Sequence, residues 1–233
     1  MAKSIALLLR HADYDQIPDT PSAHQPYGLN DKGRTQTKQA ITLLEQIAQE
    51  YDAVFHPVID SSSLLRSWQT AQIIMQQIDG IERINTYDTL TERSVGSAAN
   101  LTIQQIETLL EQDPRFNAPP NDWKSNSDYC LPFPGAESLM MAGKRVADHL
   151  SHAMTDLISA APEETCNTIK LFIGHGAAFR HAACHLGILQ REQLRELSMY
   201  HVKPIVFAVD QNGSWQHITG EWKVRNNTEQ VMD

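Results

Sequence analysis

Two short motifs in this chain place imidazole and guanidinium groups where polypeptides commonly handle anions. The apolar run at 5–9 stops abruptly at Arg10-His11, and a second strand candidate of the same character, 168–173, stops at Gly174-His175-Gly176. Short continuous apolar runs read as strands buried on both faces. Open α/β sheets bind ligands just beyond the carboxyl ends of their strands. As parallel neighbours, these two strands would bring His11 and His175 to one sheet edge, with Arg10 beside them. Arg66 follows the cluster Asp60-Ser61-Ser62-Ser63, which reads as a turn with an N-cap. It then sits in the first turn of a helix, where backbone donors and the dipole favour an anion. Taken singly, Arg10 and Arg66 read equally well as surface charges and His11 as a hydrogen-bonded loop residue. Gathered together, such groups repel one another, strongly so where water is excluded. A bound phosphoryl group resolves the conflict, because guanidinium forks match its oxygens in pairs.

The elements that must position these residues alternate between strand and helix. Asn30 is an N-cap candidate for a helix whose apolar face holds Ala40, Leu44, Ile47, Ala48 and Tyr51. Residues 53–59 form a strand candidate interrupted by Pro57, the helix after the serine cluster runs to about Ile78, and 82–87 reads as a further strand. A short helix at 101–110 precedes an irregular segment, 113–135, which holds five prolines. Long irregular segments in compact domains commonly serve as lids or binding loops. The strongest helix, 137–158, lines one face with Leu139, Ala142, Val146, Leu150, Ala153, Leu157 and Ile158, and Pro162 marks its exit. A helix at about 177–186 follows His175, and strands at 205–209 and 215–218 flank the hairpin turn signal Gln211-Asn212-Gly213. This order predicts one α/β domain over 1–233, a mixed, mostly parallel sheet with helices on both faces.

Composition narrows the function. At 233 residues, with net charge −9, the chain lacks the basic balance of a nucleic-acid binder. Any phosphate handling therefore belongs to a local pocket. No apolar run approaches the ~20 residues of a membrane span, and the first run is too short for a signal peptide. Cys130, Cys166 and Cys184 are odd in number and form no CxxC pair, which argues for a reducing, cytoplasmic setting and against structural zinc.

Six segments carry a resemblance to a known family. Leu9-Arg10-His11 resembles the Arg-His signature of the histidine phosphatase superfamily, which includes the cofactor-dependent phosphoglycerate mutases. The stretch from Leu29 to Gln36 resembles that family's Leu-Thr-x-x-Gly-x-x-Gln helix start, and the stretch from Ser62 to Ala71 its second arginine motif. Leu90-Thr91-Glu92-Arg93 is similar to the segment that supplies an acid. Pro134-Gly135-Ala136-Glu137-Ser138 resembles the start of the family's long helix, and Gly174-His175-Gly176 its second histidine. The resemblance implies a phosphoglycerate mutase-like three-layer α/β/α sandwich with a substrate-covering insertion at about 93–135. It also implies a ping-pong mechanism. Neutral His11 attacks phosphorus, its other ring nitrogen donating to a backbone carbonyl. Arg10, Arg66 and His175, with the Gly176 and Ala177 N–H groups, hold the phosphoryl oxygens, and Glu92 is the general acid with a raised pKa. No metal or cofactor is called for.

Departures from the mutases point to hydrolysis. The chain reads Arg10-His11-Ala12-Asp13 where mutases continue Arg-His-Gly-Glu, and Ile17 replaces a phosphate-contacting asparagine. Between Glu92 and Pro134 the only cations are Arg93, Arg115 and Lys124, with no adjacent pair. The expected function is a metal-independent phosphomonoesterase acting on a small phosphorylated metabolite. Phosphoglycerate mutase activity, and a regulatory phosphatase of phosphohistidine or phosphoproteins, are the alternatives. Oligomeric state is not legible. His181 and His185 have the i, i+4 spacing of a zinc pair but no evident third ligand. His24, His56, His149, His152, His201 and His217 read as ordinary surface or packed residues. Trp123, Tyr129 and Phe133 serve either a lid or the packing beneath it.

Overall fold

Side chains along the first apolar run face alternately to the two sides of a sheet, which is why the run is continuous. Ile5, Leu7 and Leu9 join one buried cluster and Ala6 and Leu8 the other. The computed structural model describes residues 3–21, 24–160 and 166–225. In chain order its elements are β1 (Ser4–Arg10), α1 (Asp31–Glu50), β2 (Ala53–Phe55), β3 (Val58–Ser62), α2 (Leu65–Met75), β4 (Arg83–Tyr87), α3 (Ile103–Gln112) and α4 (Leu139–Ala160). They continue with β5 (Asn167–Gly174), α5 (Gly176–His185), β6 (Leu197–Ser198), β7 (Ile205–Val209), β8 (Trp215–Thr219) and β9 (Lys223–Val224). Pro162 lies outside the described residues.

The main sheet runs β4-β3-β5-β1-β7-β8, and β2 also pairs with β5. The strands β4, β3, β5 and β1 are parallel, whereas β7 is antiparallel to β1 and β8 to β7. This is the α/β fold with a mostly parallel mixed sheet that the strand and helix order predicts. Helices α1 and α2 cover one face through Ala40, Leu44, Ile47, Ala71 and Ile74, and α4 and α5 cover the other through Val146, Leu150, Phe179 and Ala182. Each such large side chain contributes about 1.5–3 kcal/mol on burial. Gly143 lets α4 and α5 close up, since a Cβ there would sit 2.4 Å from His181 Cβ.

Two local readings change. Pro57 splits the expected 53–59 strand into β2 and β3, which pair with successive stretches of β5. Ser61 and Ser62 lie in β3 rather than in a turn, and Leu64, at the N-cap of α2, makes no side-chain capping bond. Pairing with β4, and with β5 at Ser61, outweighs the low strand propensity of serine. Asn30 does cap α1, its side chain accepting the Gly33 N–H at 2.8 Å.

The 93–135 segment closes on itself. Val95 bridges Ala136, the Ser97 N–H donates to Pro134, and Gly96 adopts φ +64°, where a Cβ would meet the Pro134 carbonyl at 2.4 Å. Between these ends Val95, Ala98, Ile106, Leu110, Trp123 and Leu131 form a small apolar cluster of their own. Trp123 is thus packing, its indole N–H donating to Glu107, and Tyr129 and Phe133 lie partly buried against the same cluster.

Candidate active site

The parallel pairing of β1 with β5 sets Arg10 opposite Gly174, and the His11 N–H donates to the Gly174 carbonyl at 2.9 Å. His11 and His175 therefore leave the sheet side by side, their ring centroids 5.0 Å apart. From the start of α2, Arg66 reaches between them. Its Nε–H donates to His11 Nε2 at 3.2 Å, one Nη donates to the Gln25 carbonyl at 2.8 Å, and the other lies 3.4 Å from His175 Nδ1. The guanidinium also stands over the Tyr14 ring at 4.6 Å. All three side chains are essentially sealed: His11 and His175 are 1% exposed and Arg66 0%.

The hydrogen bonds assign the tautomers. Arg66 can only donate, so His11 Nε2 accepts, and the ring proton sits on Nδ1, which donates to the Ala12 carbonyl at 2.7 Å. By the same logic His175 carries its proton on Nε2, which faces Ser62 Oγ at 2.9 Å and Ser67 Oγ at 3.3 Å. Ser62 of β3 and Ser67 of α2 thus orient the second histidine. Burial, followed by Arg66, His175, Arg10 and His201, holds the His11 pKa well below the ordinary imidazole value. Burial, then Arg66 and Arg10, does the same for His175. Burial also pulls Arg66 below the ordinary guanidinium value. Neutral His11 with its lone pair on Nε2 is the form a nitrogen nucleophile requires.

Arg10 donates to the Met199 carbonyl at 2.9 Å and packs on Gly176, where a Cβ would come within 3.2 Å of its Cδ. Glu92 is buried at the start of α5. Its Oε1 accepts from the Arg93 and Ala178 N–H groups at 2.8 and 3.1 Å, and its Oε2 from Ala177 N–H at 3.2 Å. A carboxylate at a helix N-terminus satisfies donors that the helix leaves open. The Ala177 N–H, which the resemblance assigns to phosphate, is thus engaged by Glu92 here. Arg145 clamps the loop that carries Glu92. It forks onto Glu137 at 2.9 and 2.8 Å and donates to the carbonyls of Asp88, Thr89 and Thr91, while Glu137 accepts the Ser94 N–H. Burial raises the Glu137 pKa, but the Arg145 fork outweighs it and holds that carboxyl below its ordinary value.

Two residues without a sequence motif also reach the cluster. His24 Nε2 contacts the Glu92 carbonyl at 3.1 Å, and the His201 ring lies 5.5 Å from that of His11. His201 follows β6 and precedes Val202, whose φ of +47° is unusual for a β-branched residue. That conformation costs about 1–2 kcal/mol and is held by the Val202 N–H bond to the Arg10 carbonyl at 3.0 Å. His181 and His185 are committed elsewhere. His181 pairs with the Ala177 carbonyl and Ser127, and His185 with the Met140 carbonyl. Among the described residues no group of three His, Cys, Asp or Glu side chains is placed to hold a metal ion.

The chain is similar to known proteins along most of its length. The chain is 24% identical over 209 residues to the mitochondrial serine/threonine-protein phosphatase Pgam5 of Drosophila virilis, covering 89% of this chain and 59% of that protein. It thus spans about three-fifths of the length of the fly relatives it matches. It is also 24% identical to the 2,3-bisphosphoglycerate-dependent phosphoglycerate mutase of Parvibaculum lavamentivorans, over 80% of each chain. A mycobacterial glucosyl-3-phosphoglycerate phosphatase structure superposes with a TM-score of 0.64 at 16% identity, over 95% of this chain and 98% of that one. A profile of the histidine phosphatase superfamily (branch 1) matches residues 6–219, nearly the whole described chain, and with the paired histidines at one sheet edge it shows that the protein belongs to that superfamily.

Proposed function

We propose that the protein is a metal-independent phosphomonoesterase that hydrolyses a small phosphorylated metabolite through a phosphohistidine on His11. One observation carries this reading: His11 presents Nε2 as an acceptor between Arg66 and His175 while Nδ1–H is anchored on the Ala12 carbonyl. In the first step Arg66 exchanges His11 for a phosphate oxygen, and the Nε2 lone pair forms an N–P bond as the P–O bond to the leaving group breaks. In this reading Glu92 delivers the proton that the departing alkoxide takes up. The Nδ1–H bond to Ala12 supports the positive ring so formed. In the second step water attacks phosphorus, Glu92 takes its proton, the N–P bond breaks, and inorganic phosphate leaves. Arg10 and Arg66 hold peripheral oxygens throughout, and His175 joins them once its Nδ1 is protonated beside the anion, supplying the charge stabilisation that a metal provides elsewhere.

The cations of the insertion favour hydrolysis over mutase chemistry. Arg115 is forked on Asp113, Lys124 lies over the Trp123 ring, and Arg93 is buried beside Glu92. A nucleophile this deeply buried, with the 93–135 segment folded beside the site, favours a small substrate over a phosphoprotein. The three free cysteines accord with a reducing, cytoplasmic setting. No described helix is long and apolar enough to cross a membrane. The test is to quench the enzyme during turnover of p-nitrophenyl phosphate with EDTA present. An acid-labile, base-stable phosphoenzyme in the wild type, and none in His11→Ala, is the expected result. Turnover undiminished in His11→Ala rejects the nucleophile, and loss of wild-type turnover on chelation, restored by a metal, rejects metal independence.

A further inference from the structure

We propose that His201 is a further phosphoryl-contacting residue, whose imidazole N–H binds the outward-facing oxygen of the phosphoryl group while it is transferred to and from His11. The inference rests on the reading of His11 as the phosphoryl acceptor. Its starting point is placement. The His201 ring lies 5.5 Å from the His11 ring at an interplanar angle of 35°, and its side chain is 22% exposed, whereas His11 and His175 are sealed. Part of the His201 ring is thus exposed while its Nε2 is buried next to the nucleophile. A phosphorus atom in attack position sits about 3–3.5 Å from Nε2. An imidazole centred 5.5 Å from the nucleophile's ring is near enough for a nitrogen to come within hydrogen-bonding reach, about 2.7–3.2 Å, of a peripheral oxygen.

Two further features hold the ring in that place. Val202, with its left-handed backbone, is bonded through its N–H to the Arg10 carbonyl, so the loop is fastened to the end of β1 itself. Strained residues of this kind concentrate at functional sites. On the other side His201 Nδ1 faces Asp13 Oδ1 at 3.8 Å, and Asp13 is held in turn by Lys32 at 2.8 Å. A carboxylate behind one imidazole nitrogen helps to orient the ring; once the ring is protonated, its other nitrogen presents an N–H to the anion. Arg66 and His175 approach the phosphoryl group from within the core, and His201 completes the set.

The experiment compares His201→Ala and His201→Gln with the wild type, using orthovanadate as a mimic of the five-coordinate phosphorus and p-nitrophenyl phosphate as substrate. In His201→Ala, kcat is expected to fall and the vanadate inhibition constant to rise, each by about 100-fold, the lower end for loss of one transition-state donor. KM should move far less. Glutamine keeps an N–H donor and is expected to recover much of both losses, which a purely structural role does not predict. Vanadate inhibition unchanged within roughly twofold in both variants, each folded by circular dichroism, overturns the inference. Should the alanine variant fail to fold, the glutamine variant decides: failure to inhibit with vanadate while folded also counts against a shared donor role. A phosphoenzyme trapped in the wild type separates the two readings. With it present and vanadate unaffected, only the His201 assignment falls; with it absent, the His11 reading falls first.

Discussion

Lowering the pH from 7 to 5 is expected to destabilise the folded chain well before most carboxylates titrate. His11, His175 and His181 are buried, and burial with neighbouring arginines holds all three pKa values below the ordinary imidazole value. In the unfolded chain each takes up a proton near pH 6.5. The unfolded state then binds more protons than the folded one, so stability is full above about pH 6.5 and falls as the pH drops below it. For His181, whose folded pKa is lowered to about 3, integrating between pH 7 and 5 gives a loss of about 2 kcal/mol. His11 and His175 add losses of the same sign. Against a typical total of about 5–15 kcal/mol, that is a large fraction. The assay is urea unfolding followed by tryptophan fluorescence at pH 7, 6 and 5 in phosphate-free buffer, where the midpoint should fall steadily with little change in slope. His181→Gln costs stability at pH 7 through its bonds to Ala177 and Ser127, yet it should remove about 2 kcal/mol of the pH dependence. The two midpoint curves should therefore converge on acidification. Saturating inorganic phosphate should raise the wild-type midpoint, because it binds the folded state and not the unfolded one. A wild-type midpoint independent of pH over this range refutes the claim that these histidines are held neutral at a cost.

Glu92→Gln should slow phosphoenzyme formation from alkyl phosphates by about 100-fold or more and far more than from p-nitrophenyl phosphate, whose leaving group needs no proton, while the shared water-activation step slows for both; equal slowing of the phosphoenzyme-forming step places the acid elsewhere. Arg145→Met removes the fork on half-buried Glu137 and three carbonyl contacts to the loop carrying Glu92. A stability loss of about 3 kcal/mol is expected, with kcat for alkyl phosphates falling more than KM changes. An unaltered leaving-group dependence in that variant would show that the clamp does not position the acid.

The members of the site that stand at the ends of parallel strands are legible from residue order alone. Each strand candidate leads into a histidine, and parallel neighbours align their carboxyl ends, so His11 and His175 converge once β1 and β5 are recognised. Asn30 is legible for a local reason, since an N-cap acts within three residues of its own position. The serine cluster is harder, because its role depends on partners distant in sequence. Ser62 turns into β3 to meet His175, 113 residues away, and only strand pairing reveals that its hydroxyl serves an imidazole rather than a helix start. Glu92 is legible by resemblance, but its seat at the N-terminus of α5 is not, because nothing near residue 92 indicates which helix end it meets.

His201 shows most clearly what residue order omits. The turn signal at 211–213 announces the pairing of β7 with β8, yet nothing in either strand states which way β7 runs beside β1. The structure sets Leu8 opposite Ile205 in antiparallel register. The residues just before Ile205 are thereby carried to the edge where β1 ends, and Val202 is bonded to Arg10 there. A parallel β7 would have placed that loop at the opposite end of the sheet. The proposed donor His201 thus owes its place beside Arg10 to the direction of β7, since it lies in the loop that leads into that antiparallel strand.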